Sequence, residues 1–500
     1  MSRKNTIQQS SSNSQTLKIT PIANLLGRHG SNHMLLGQLA LLPTGGLAIS
    51  DLTGTIALDL KQAVDIPHGS AWFCPGMIVL VDGVYEEEDE SIGRGLSGSS
   101  GVGGTLGGRF QGFFIGQPPC EKRAATLGIS GPDGGQDHTI GGGFGWIDFL
   151  GIGSERAVGQ KMRRLERRLL PPPIEEGPAR NRVIIIGELN IDQPRALQAL
   201  RKILNVYAIE PEGVSPVTFV LTGNFTQHAV MAKGGSGGSV EYKEYFDALA
   251  STLSDFPTLL QTSSFVFVPG DNDGWVSSFT AGASVPLPRK SVPDMFTSRI
   301  RRAFATANSE APHGVPGSAT WTSNPSRLTL FGPNHEIVLF RDDISARLRR
   351  SSVRLKKKAP EPEDEENAAP DAPQESESMD VDDSEAPKPA QEEPTVTASD
   401  LAQDIKTAQK LVKTILDQGY LSPFRQSSRP VHWDYATAMH LYPLPTAMAL
   451  VDATAPPFCV TYEGCHVMNP GTVLVPGRKG VARWVEYEVG RLGRLREVTF

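Results

Sequence analysis

Three stretches of the sequence share one design, a short apolar run that stops at glycine and polar side chains. They span residues 183–190, 217–225 and 265–273. Short, continuous apolar runs bounded by glycine are typical of strands buried on both faces of a mostly parallel sheet. Ligands of such sheets bind beyond the carboxyl ends of the strands, so the residues after each run are where chemistry would take place.

The motifs Asp-x-His, Gly-Asp and Gly-Asn-His at three such strand ends would hold two divalent cations, which activate water for attack on phosphorus. This sequence has the strand pattern without those ligands. Glu188 stands at the first aspartate and Asn190 at the first histidine, while Asn224 takes the place of the bridging aspartate. In residues 270–273, Asn272 occupies the position of the Gly-Asn-His histidine.

A further element near the C-terminus, residues 464–467, resembles Gly-His-x-His, but Cys465 and Val467 replace its two imidazoles. Amide side chains are weak neutral ligands, and valine cannot ligate a metal. Losing the bridging carboxylate also removes the negative charge that lets two cations lie side by side. The sequence therefore predicts a degenerate metal site, with no catalytic residue, no bound metal and no cofactor.

An active metal-dependent phosphoesterase or exonuclease is the rival interpretation. Four histidines lie near the same elements and could form one unusual metal site: His228, His432, His440 and His466. Single histidines near strand ends are more often hydrogen-bonded core or surface residues, so the metal site is the weaker expectation.

The composition is that of an ordinary globular protein, with 39% hydrophobic and 21% charged residues among 500. This length suits about two to four domains. No apolar stretch approaches the roughly 18 residues needed to cross a bilayer, so we expect no membrane contact. The four cysteines show no C-x-x-C spacing, which argues against structural zinc and favours a reducing compartment.

The formal charge of −7 is concentrated in one segment. Residues 359–394 contain 14 acidic side chains and one lysine, so the remainder of the chain carries a net charge of +6. Much of that surplus lies in a candidate nuclear-import cluster, which includes Arg349, Arg350, Arg354, Lys356, Lys357 and Lys358. Proteins that grip duplex DNA through its phosphates normally carry a larger surplus. We therefore expect protein partners, DNA contact that is at most indirect, and a nuclear location.

The N-terminal part reads as β-structure. After a polar tail of residues 1–15, predicted to be disordered, residues 16–150 contain five short strand-like runs with tight turns, typical of an OB-fold barrel. Acidic and Gly/Ser-rich residues 86–108 predict a flexible loop. The second and third strands carry mainly aliphatic side chains. This favours a barrel with a structural or protein-docking role over one that binds single-stranded nucleic acid. Residues 151–180 are predicted to be a basic, helical connector.

Residues 181–500 alternate strand-like and helix-like segments and then turn to hairpins, which predicts a four-layered α/β sandwich. Residues 356–397 are rich in proline and acidic side chains and predict a disordered insertion. Amphipathic helices are predicted around residues 194–207, 239–256, 295–305 and 401–416, the second of them ending at Pro257. C-terminal strands are predicted at residues 447–451, 458–461, 472–475 and 484–489.

An OB-fold barrel followed by a calcineurin-like metallophosphoesterase fold with eroded metal motifs resembles the B-subunit family of the replicative DNA polymerases. Within it, the polymerase epsilon branch of fungi is the nearest match, while the B-subunits of polymerases alpha and delta share the architecture. The strings that carry the resemblance are residues 18–21, 51–60, 223–225, 263–270, 414–423 and 469–471.

The resemblance implies a scaffold subunit of DNA polymerase epsilon in nuclear DNA replication, with an inactivated phosphoesterase domain. The implied partners are the C-terminal zinc-binding region of the catalytic subunit, the small histone-fold subunits of the same complex and the GINS/CMG replicative helicase. Members of the family usually begin with a small helical domain, whereas polar residues 1–15 stand there in this chain. We therefore expect helicase docking to be weakened.

Overall fold

The structure is a computed structural model and describes residues 18–87, 105–126, 181–211, 215–230, 238–274, 285–310, 316–330, 335–355 and 398–500. The predicted tail of residues 1–15, connector of residues 151–180 and insertion of residues 356–397 lie outside the described residues.

The N-terminal strands form a closed barrel, as the sequence predicts. These strands are β1 (Asn32–Leu41), β2 (Leu47–Ser50), β3 (Thr55–Asp59), β4 (Val64–Asp65), β5 (Ile78–Glu86) and β6 (Thr105–Gly116). They pair in the order β3-β2-β1-β5-β6, and β6 pairs back onto β3, so five strands close the barrel. Burial alternates along β5, because successive side chains of a strand point to opposite faces.

Strand pairing extends into both ends of the predicted loop of residues 86–108, while its residues 88–104 lie outside the described residues. Glu86 is the last residue of β5, and residues 105–108 begin β6. Glu86 lies opposite Arg109, and its carboxylate accepts a hydrogen bond from Arg109 Nε at 2.7 Å. Gly108 has a φ of +85°, and a Cβ there would lie 2.4 Å from the Glu86 carbonyl oxygen. Glycine here permits close approach of two strands.

The α/β body contains two sheets. The first comprises β7 (Arg182–Glu188), β8 (Thr218–Thr222), β9 (Ser264–Val268), β10 (Ser318–Trp321), β16 (Val481–Glu488) and β17 (Gly493–Thr499), in the order β10-β9-β8-β7-β16-β17. The second comprises β11 (Ser326–Leu330), β12 (His335–Arg341), β13 (Ala447–Val451), β14 (Phe458–Tyr462) and β15 (Cys465–Asn469), in the order β11-β12-β13-β15-β14. Strands β7, β8 and β9 are mutually parallel, as the apolar runs predict, and β10, which the sequence patterns did not reveal, is parallel to β9.

The helices pack around these sheets. They are α1 (Arg123–Thr126), α2 (Pro194–Ala208), α3 (Gly238–Ser254), α4 (Pro257–Thr262), α5 (Asp294–Ser309), α6 (Ile344–Ser351) and α7 (Ala398–Gln418), with 3-10 helices at Ile22–Leu25 and Trp433–Met439. One core joins α2 to α5 with the first sheet, for example Leu200, Phe246 and Phe219. A second core, which contains Val220 and Leu339, lies between the sheets. No described helix is long and apolar enough to cross a membrane.

Two local predictions in the body need correction. The second helix ends at Ser254, just before the predicted stop at Pro257, but Pro257 then begins α4, because proline fits the first turn of a helix. Residues 472–475 form no strand, since Thr472 and Leu474 make only isolated bridges. Strands β15 and β17 are additions that the sequence patterns did not reveal.

Helix α7 joins the barrel to the body through polar contacts. The main-chain N–H of Trp72 donates to Thr414 Oγ1 at 3.0 Å, and the Lys410 ammonium lies 5.2 Å from the Trp72 ring centroid. The Gln418 amide forms two hydrogen bonds with the Ile78 main chain, at 2.8 and 2.9 Å. The Gln418 side chain therefore satisfies both the N–H and the carbonyl of Ile78, as the main chain of a neighbouring strand would.

The same joint buries apolar surface. Barrel residues such as Phe73 and Met77 share one core with five residues of α7, which are Ala408, Leu411, Val412, Ile415 and Leu416. Gly76, with a φ of +113°, brings the barrel backbone against the body, where a Cβ would lie 2.7 Å from the Phe424 carbonyl carbon. Barrel and body therefore form one packed unit at this joint.

Candidate functional site

The ends of β7, β8 and β9 bring four of the predicted degenerate positions together. The Asn190 and Asn224 amides donate to Glu188 Oε1 at 3.1 and 3.3 Å, and the main-chain N–H of Asn272 donates to Asn224 Oδ1 at 3.0 Å. The sequence pattern therefore located the site, because parallel strands present their carboxyl ends at one edge.

Glycines keep the loops of this cluster close together. A Cβ on Gly223 would lie 2.1 Å from Asp273 Oδ2, and a Cβ on Gly270 would lie 2.2 Å from Asn224 Oδ1. These distances are too short for any side chain, so glycine at both positions is a steric requirement of the site.

Arg341, at the end of β12, supplies a buried cation to this cluster. Its guanidinium donates to Glu188 Oε2, to the Gly223 carbonyl at 3.1 Å and to Asp343 Oδ1 at 2.9 Å. The residue is 4% exposed. Burial alone would lower the pKa of Arg341, but Glu188 and Asp343 raise that pKa above its ordinary value. The side chain is therefore charged, and its charge is matched by these carboxylates.

Arg429 supplies a second buried cation beside the first. Its Nη2 donates to Asp271 Oδ1 at 2.7 Å and lies 2.9 Å from Asp342 Oδ1. Arg347 adds a weaker pair, at 3.3 Å to Asp342 and 3.6 Å to Asp271. Burial lowers the pKa of Arg429, yet Asp342 and Asp271 raise it overall. Burial also raises the pKa of Asp271, an effect that Arg429 opposes.

Asp273 lies on the buried side of the site beside Arg289, whose guanidinium donates to the Asp273 carbonyl oxygen and favours the charged form of its carboxyl. Its carboxylate accepts hydrogen bonds from Phe225 N at 2.9 Å, Gly270 N at 2.8 Å and the Tyr242 hydroxyl at 3.2 Å. Burial raises the pKa of Asp273 to about 7, against the opposing effect of these hydrogen bonds. The aspartate therefore ties together the loops after β8 and β9 and helix α3.

The remaining two positions that the sequence predicts to be degenerate lie elsewhere. Cys465 and Val467 of β15 are buried in the core that the second sheet shares with α7, and burial raises the pKa of the Cys465 thiol. Between them, His466 Nε2 accepts a hydrogen bond from Gly493 N at 2.8 Å, and its Nδ1 lies 2.8 Å from Thr461 Oγ1. Burial lowers the pKa of His466, so this neutral imidazole joins β17 to β14 through hydrogen bonds.

The other histidines are dispersed. His440 packs against the Tyr420 ring at 5.0 Å between centroids, and burial together with Arg327 lowers its pKa. His228 and His432 are exposed. Within the described ranges, no group of three or more His, Cys, Asp or Glu side chains is arranged to hold a metal ion.

The basic cluster is only partly described. Arg349 and Arg350 lie in the last turn of α6 and are exposed, as is Arg354. Arg349 donates to the Thr454 carbonyl at 3.2 Å. Lys356, Lys357 and Lys358 lie outside the described residues.

Comparison with known families identifies the chain. Residues 183–460 match the family of DNA polymerase alpha/epsilon B-subunits, and residues 1–119 match the DNA polymerase epsilon subunit 2-like OB-fold domain. The chain belongs to the DNA polymerase epsilon B-subunit family. The second match covers the whole barrel, whose last strand ends at Gly116.

The relatives of this B-subunit family member are longer than the chain itself. The DNA polymerase epsilon B-subunit of Saccharomyces cerevisiae is 33% identical over 494 residues, which cover 97% of this chain and 61% of the relative. The Schizosaccharomyces pombe protein of the same name is 32% identical, with 92% and 61% covered. Mouse DNA polymerase epsilon subunit 2 is 25% identical, with 88% and 61% covered. The chain thus spans about three fifths of the length of these relatives.

The arginines are the site residues that sequence reasoning missed. Glu188, Asn224, Arg341 and Arg429 all lie within the region matched to the B-subunit family. Arg341 could have been found from the sequence, because it follows the apolar run of β12 in the same way as the polar residues follow the three predicted strands. Arg429 follows no strand, and no local pattern marks it.

Proposed function

We propose that this chain is a non-catalytic accessory subunit of DNA polymerase epsilon that acts as a scaffold in nuclear DNA replication. Its body is a calcineurin-like phosphoesterase sandwich whose metal site has been replaced by ion pairs. Membership of the B-subunit family supports the assignment to the polymerase. The observation that carries the loss of catalysis is the pair of buried cations, Arg341 and Arg429.

A two-metal phosphoesterase needs carboxylates that are available to ligate dications. Both oxygens of Glu188 are already used, one by Arg341 and the other by the Asn190 and Asn224 amides. A dication placed there would lie beside a buried guanidinium, with an amide where a bridging carboxylate is needed. Repulsion between like charges is strong in a buried setting, where the effective dielectric constant is far below that of water. The cluster therefore serves stability instead of catalysis.

The partner we propose is the C-terminal zinc-binding region of the polymerase epsilon catalytic subunit. An extended protein surface suits this role, since stable interfaces bury about 1,200 to 2,000 Å². The joint at α7 supports it, because barrel and body share one buried core there, which holds the two parts together. Contacts with the small histone-fold subunits and with the GINS/CMG helicase belong to the same proposal, as does nuclear import through the basic cluster.

Co-expression with the C-terminal region of a fungal polymerase epsilon catalytic subunit tests the proposal. We expect a one-to-one complex by size-exclusion chromatography with light scattering. The C-terminal regions of the polymerase alpha and delta catalytic subunits are the matched controls, and we expect neither to co-purify.

Failure to bind the epsilon region, or equal binding to all three regions, would contradict the accessory role. Manganese-dependent phosphodiesterase activity is measured on the same fractions. Turnover that co-elutes with the chain would contradict the non-catalytic assignment alone, so the two parts of the proposal can fail separately.

A further inference from the structure

Strand β17 forms one edge of the first sheet. It pairs with β16 on one side, and no other strand of the described chain pairs with its second side. Residues 494–497 in the middle of the strand are all exposed. An uncovered edge of this kind presents a row of main-chain N–H and carbonyl groups, which can pair with a strand from another chain.

The direction of the main chain alternates along β17 and identifies the open groups. The N–H of Phe500 donates to the Gly480 carbonyl, just before β16, at 2.8 Å. The N–H of Gly493 points away from β16 and donates to His466 Nε2 at 2.8 Å. Successive residues of an antiparallel strand alternate between these two directions. The other residues whose main-chain groups point away from β16 are Leu495, Glu497 and Thr499.

The other edges of the two body sheets carry features that block strand addition. Strand β10 has four residues, β11 directly follows Pro325, and β14 lies against α7, where the Tyr462 hydroxyl donates to Asp417 Oδ1 at 3.0 Å. Short length, proline and a covering helix all protect an edge. Strand β17 has seven residues, no proline and no register shift along β16. The protective feature that it does carry is charge.

The hairpin of β16 and β17 is basic. Residues 478–497 contain six basic and three acidic side chains, a net charge of +3. Glu497 is already paired with Arg478 and Arg483, at 2.7 and 2.8 Å. Arg494 makes no ion pair within the part of the chain that the structure describes. This charge opposes pairing of the edge with a second copy of itself and favours an acidic partner.

The two faces of β17 differ in chemistry. Arg494 and Arg496 lie on the same face as Trp484, which shares a core with α2. Leu495 lies opposite Val485 on the other face and is 38% exposed. Side chains of neighbouring strands align across a sheet, so an added strand would place one set of residues beside the arginines and the other beside the leucine. The matching strand therefore alternates acidic and apolar residues.

We propose that β17 is a docking edge for an extended acidic segment of a partner protein, which adds to the first sheet as a further strand. Main-chain hydrogen bonds to the outward groups supply affinity, while Arg494 and Arg496 select acidic side chains. The proposal is independent of the polymerase assignment, because it rests on the geometry and charge of one sheet edge.

Fluorescence anisotropy of the full chain with a labelled octapeptide of alternating glutamate and valine tests this edge. Matched peptides carry glutamine or lysine in place of glutamate. We expect the acidic peptide to bind at least about tenfold more tightly than the glutamine peptide, and the lysine peptide to bind least. Arg494→Gln/Arg496→Gln should remove this preference. Arg299→Gln/Arg302→Gln, an equal change of charge at exposed positions of α5, should preserve it.

Hydrogen exchange read at single-residue resolution locates the bound peptide. In the free chain, the outward amides of Leu495, Glu497 and Thr499 should exchange fast, and those of Arg494 and Arg496, which point to β16, should exchange slowly. The acidic peptide should slow the outward amides at least about tenfold and change the inward ones little, because an added strand bonds only to the outward set.

A proline at the open edge is the second variant. Leu495→Pro removes one outward N–H, and edge strands tolerate proline where the N–H faces solvent, so the ladder with β16 should persist in exchange measurements. We expect at least about tenfold weaker binding of the acidic peptide. Binding that this variant leaves unchanged would overturn the proposal, as would equal binding of the three peptides or none.

The free chain provides a further check. Slow exchange of the outward amides without peptide would overturn the proposal, because the edge would then already be covered. Sedimentation velocity should show a monomer. A dimer that Leu495→Pro dissociates would also overturn the proposal, since a second copy of the chain would then be the occupant of β17.

Discussion

The strand-end site and the joint between the barrel and α7 are both buried, but different forces hold them. At the site, the charges of Arg341 and Arg429 are neutralised by carboxylates that belong to several different segments of the chain. At the joint, the stabilising contacts are mainly aliphatic and aromatic, with a few hydrogen bonds to the barrel backbone.

The difference predicts how each region fails. Removing one partner of a buried ion pair leaves an uncompensated charge, which costs more than the pair itself contributes. Removing apolar atoms from a core costs the lost transfer free energy plus that of the cavity left behind. The strand-end site should therefore be sensitive to the loss of either arginine.

The largest effect is expected for Arg429→Met. The substitution leaves Asp271 and Asp342 with only the longer contacts of Arg347. We expect a loss of about 3 to 5 kcal/mol in the free energy of unfolding, measured by urea denaturation. Arg478→Met is the matched control, because its side chain is 54% exposed in a pair with Glu497, and it should cost less than about 0.5 kcal/mol. Equal effects of the two substitutions would contradict the role of the site in stability.

A somewhat smaller loss is expected at the joint for Ile415→Ala. This side chain is 1% exposed, and its truncation should cost about 3 kcal/mol. Ile209→Ala, at a position that is 83% exposed, should change stability by less than about 0.5 kcal/mol. If the two variants have the same denaturation midpoint, Ile415 does not contribute to a core shared by the barrel and α7, and the account of the joint is contradicted.

The pH dependence of stability should separate the two regions further. The folded pKa of Asp273, about 7, lies above the ordinary carboxyl value of 3.8, so the folded state binds the extra proton between these values. Its contribution is therefore fully present below pH 3.8 and is lost as pH rises through 7, with a slope of at most about 1.4 kcal/mol per pH unit. Asp273→Asn should remove this slope from denaturation curves measured between pH 4 and 8.

The substitution Ile415→Ala is the control for that series, because it removes no titrating group. It should lower stability by the same amount at each pH. A wild-type slope that survives in Asp273→Asn would show that another group carries the titration.

The smallest effect is expected for Gln418→Ala. The substitution removes two hydrogen bonds to the Ile78 main chain, at a net cost of about 1 kcal/mol. Gln198→Ala on the exposed face of α2 is the matched control and should be near neutral. A loss larger than that of Ile415→Ala would mean that polar contacts, instead of apolar burial, hold the joint.

The sequence predicted those features that local pattern determines. The apolar runs predicted where β7, β8 and β9 end. They therefore also predicted that Glu188, Asn190, Asn224 and Asn272 lie close together. The closed barrel followed from the spacing of apolar runs and turns.

Long-range contacts could not be predicted in the same way. Arg341 lies 153 positions from Glu188 and Arg429 lies 158 positions from Asp271, so no periodicity links these partners. From Ala408 onward the pattern of α7 showed which face is buried, but not that the barrel covers part of it. Leu401 and Ile405, which the pattern places on the same face, are exposed. Residues 105–108 were predicted to belong to a loop because they end a Gly/Ser-rich stretch, whereas here Gly108 permits the close approach of β6 to β5.

Calorimetric titration of the purified full chain with manganese tests the central claim most directly. We predict no saturable heat, because Arg341 and Arg429 already neutralise the carboxylates at the strand ends. The result that would contradict this is stoichiometric binding of manganese that disappears in Asp271→Asn and persists in the surface control Asp255→Asn, whose side chain is 50% exposed. Such binding would show that the arginines leave room for a metal and that the site is still a metal centre.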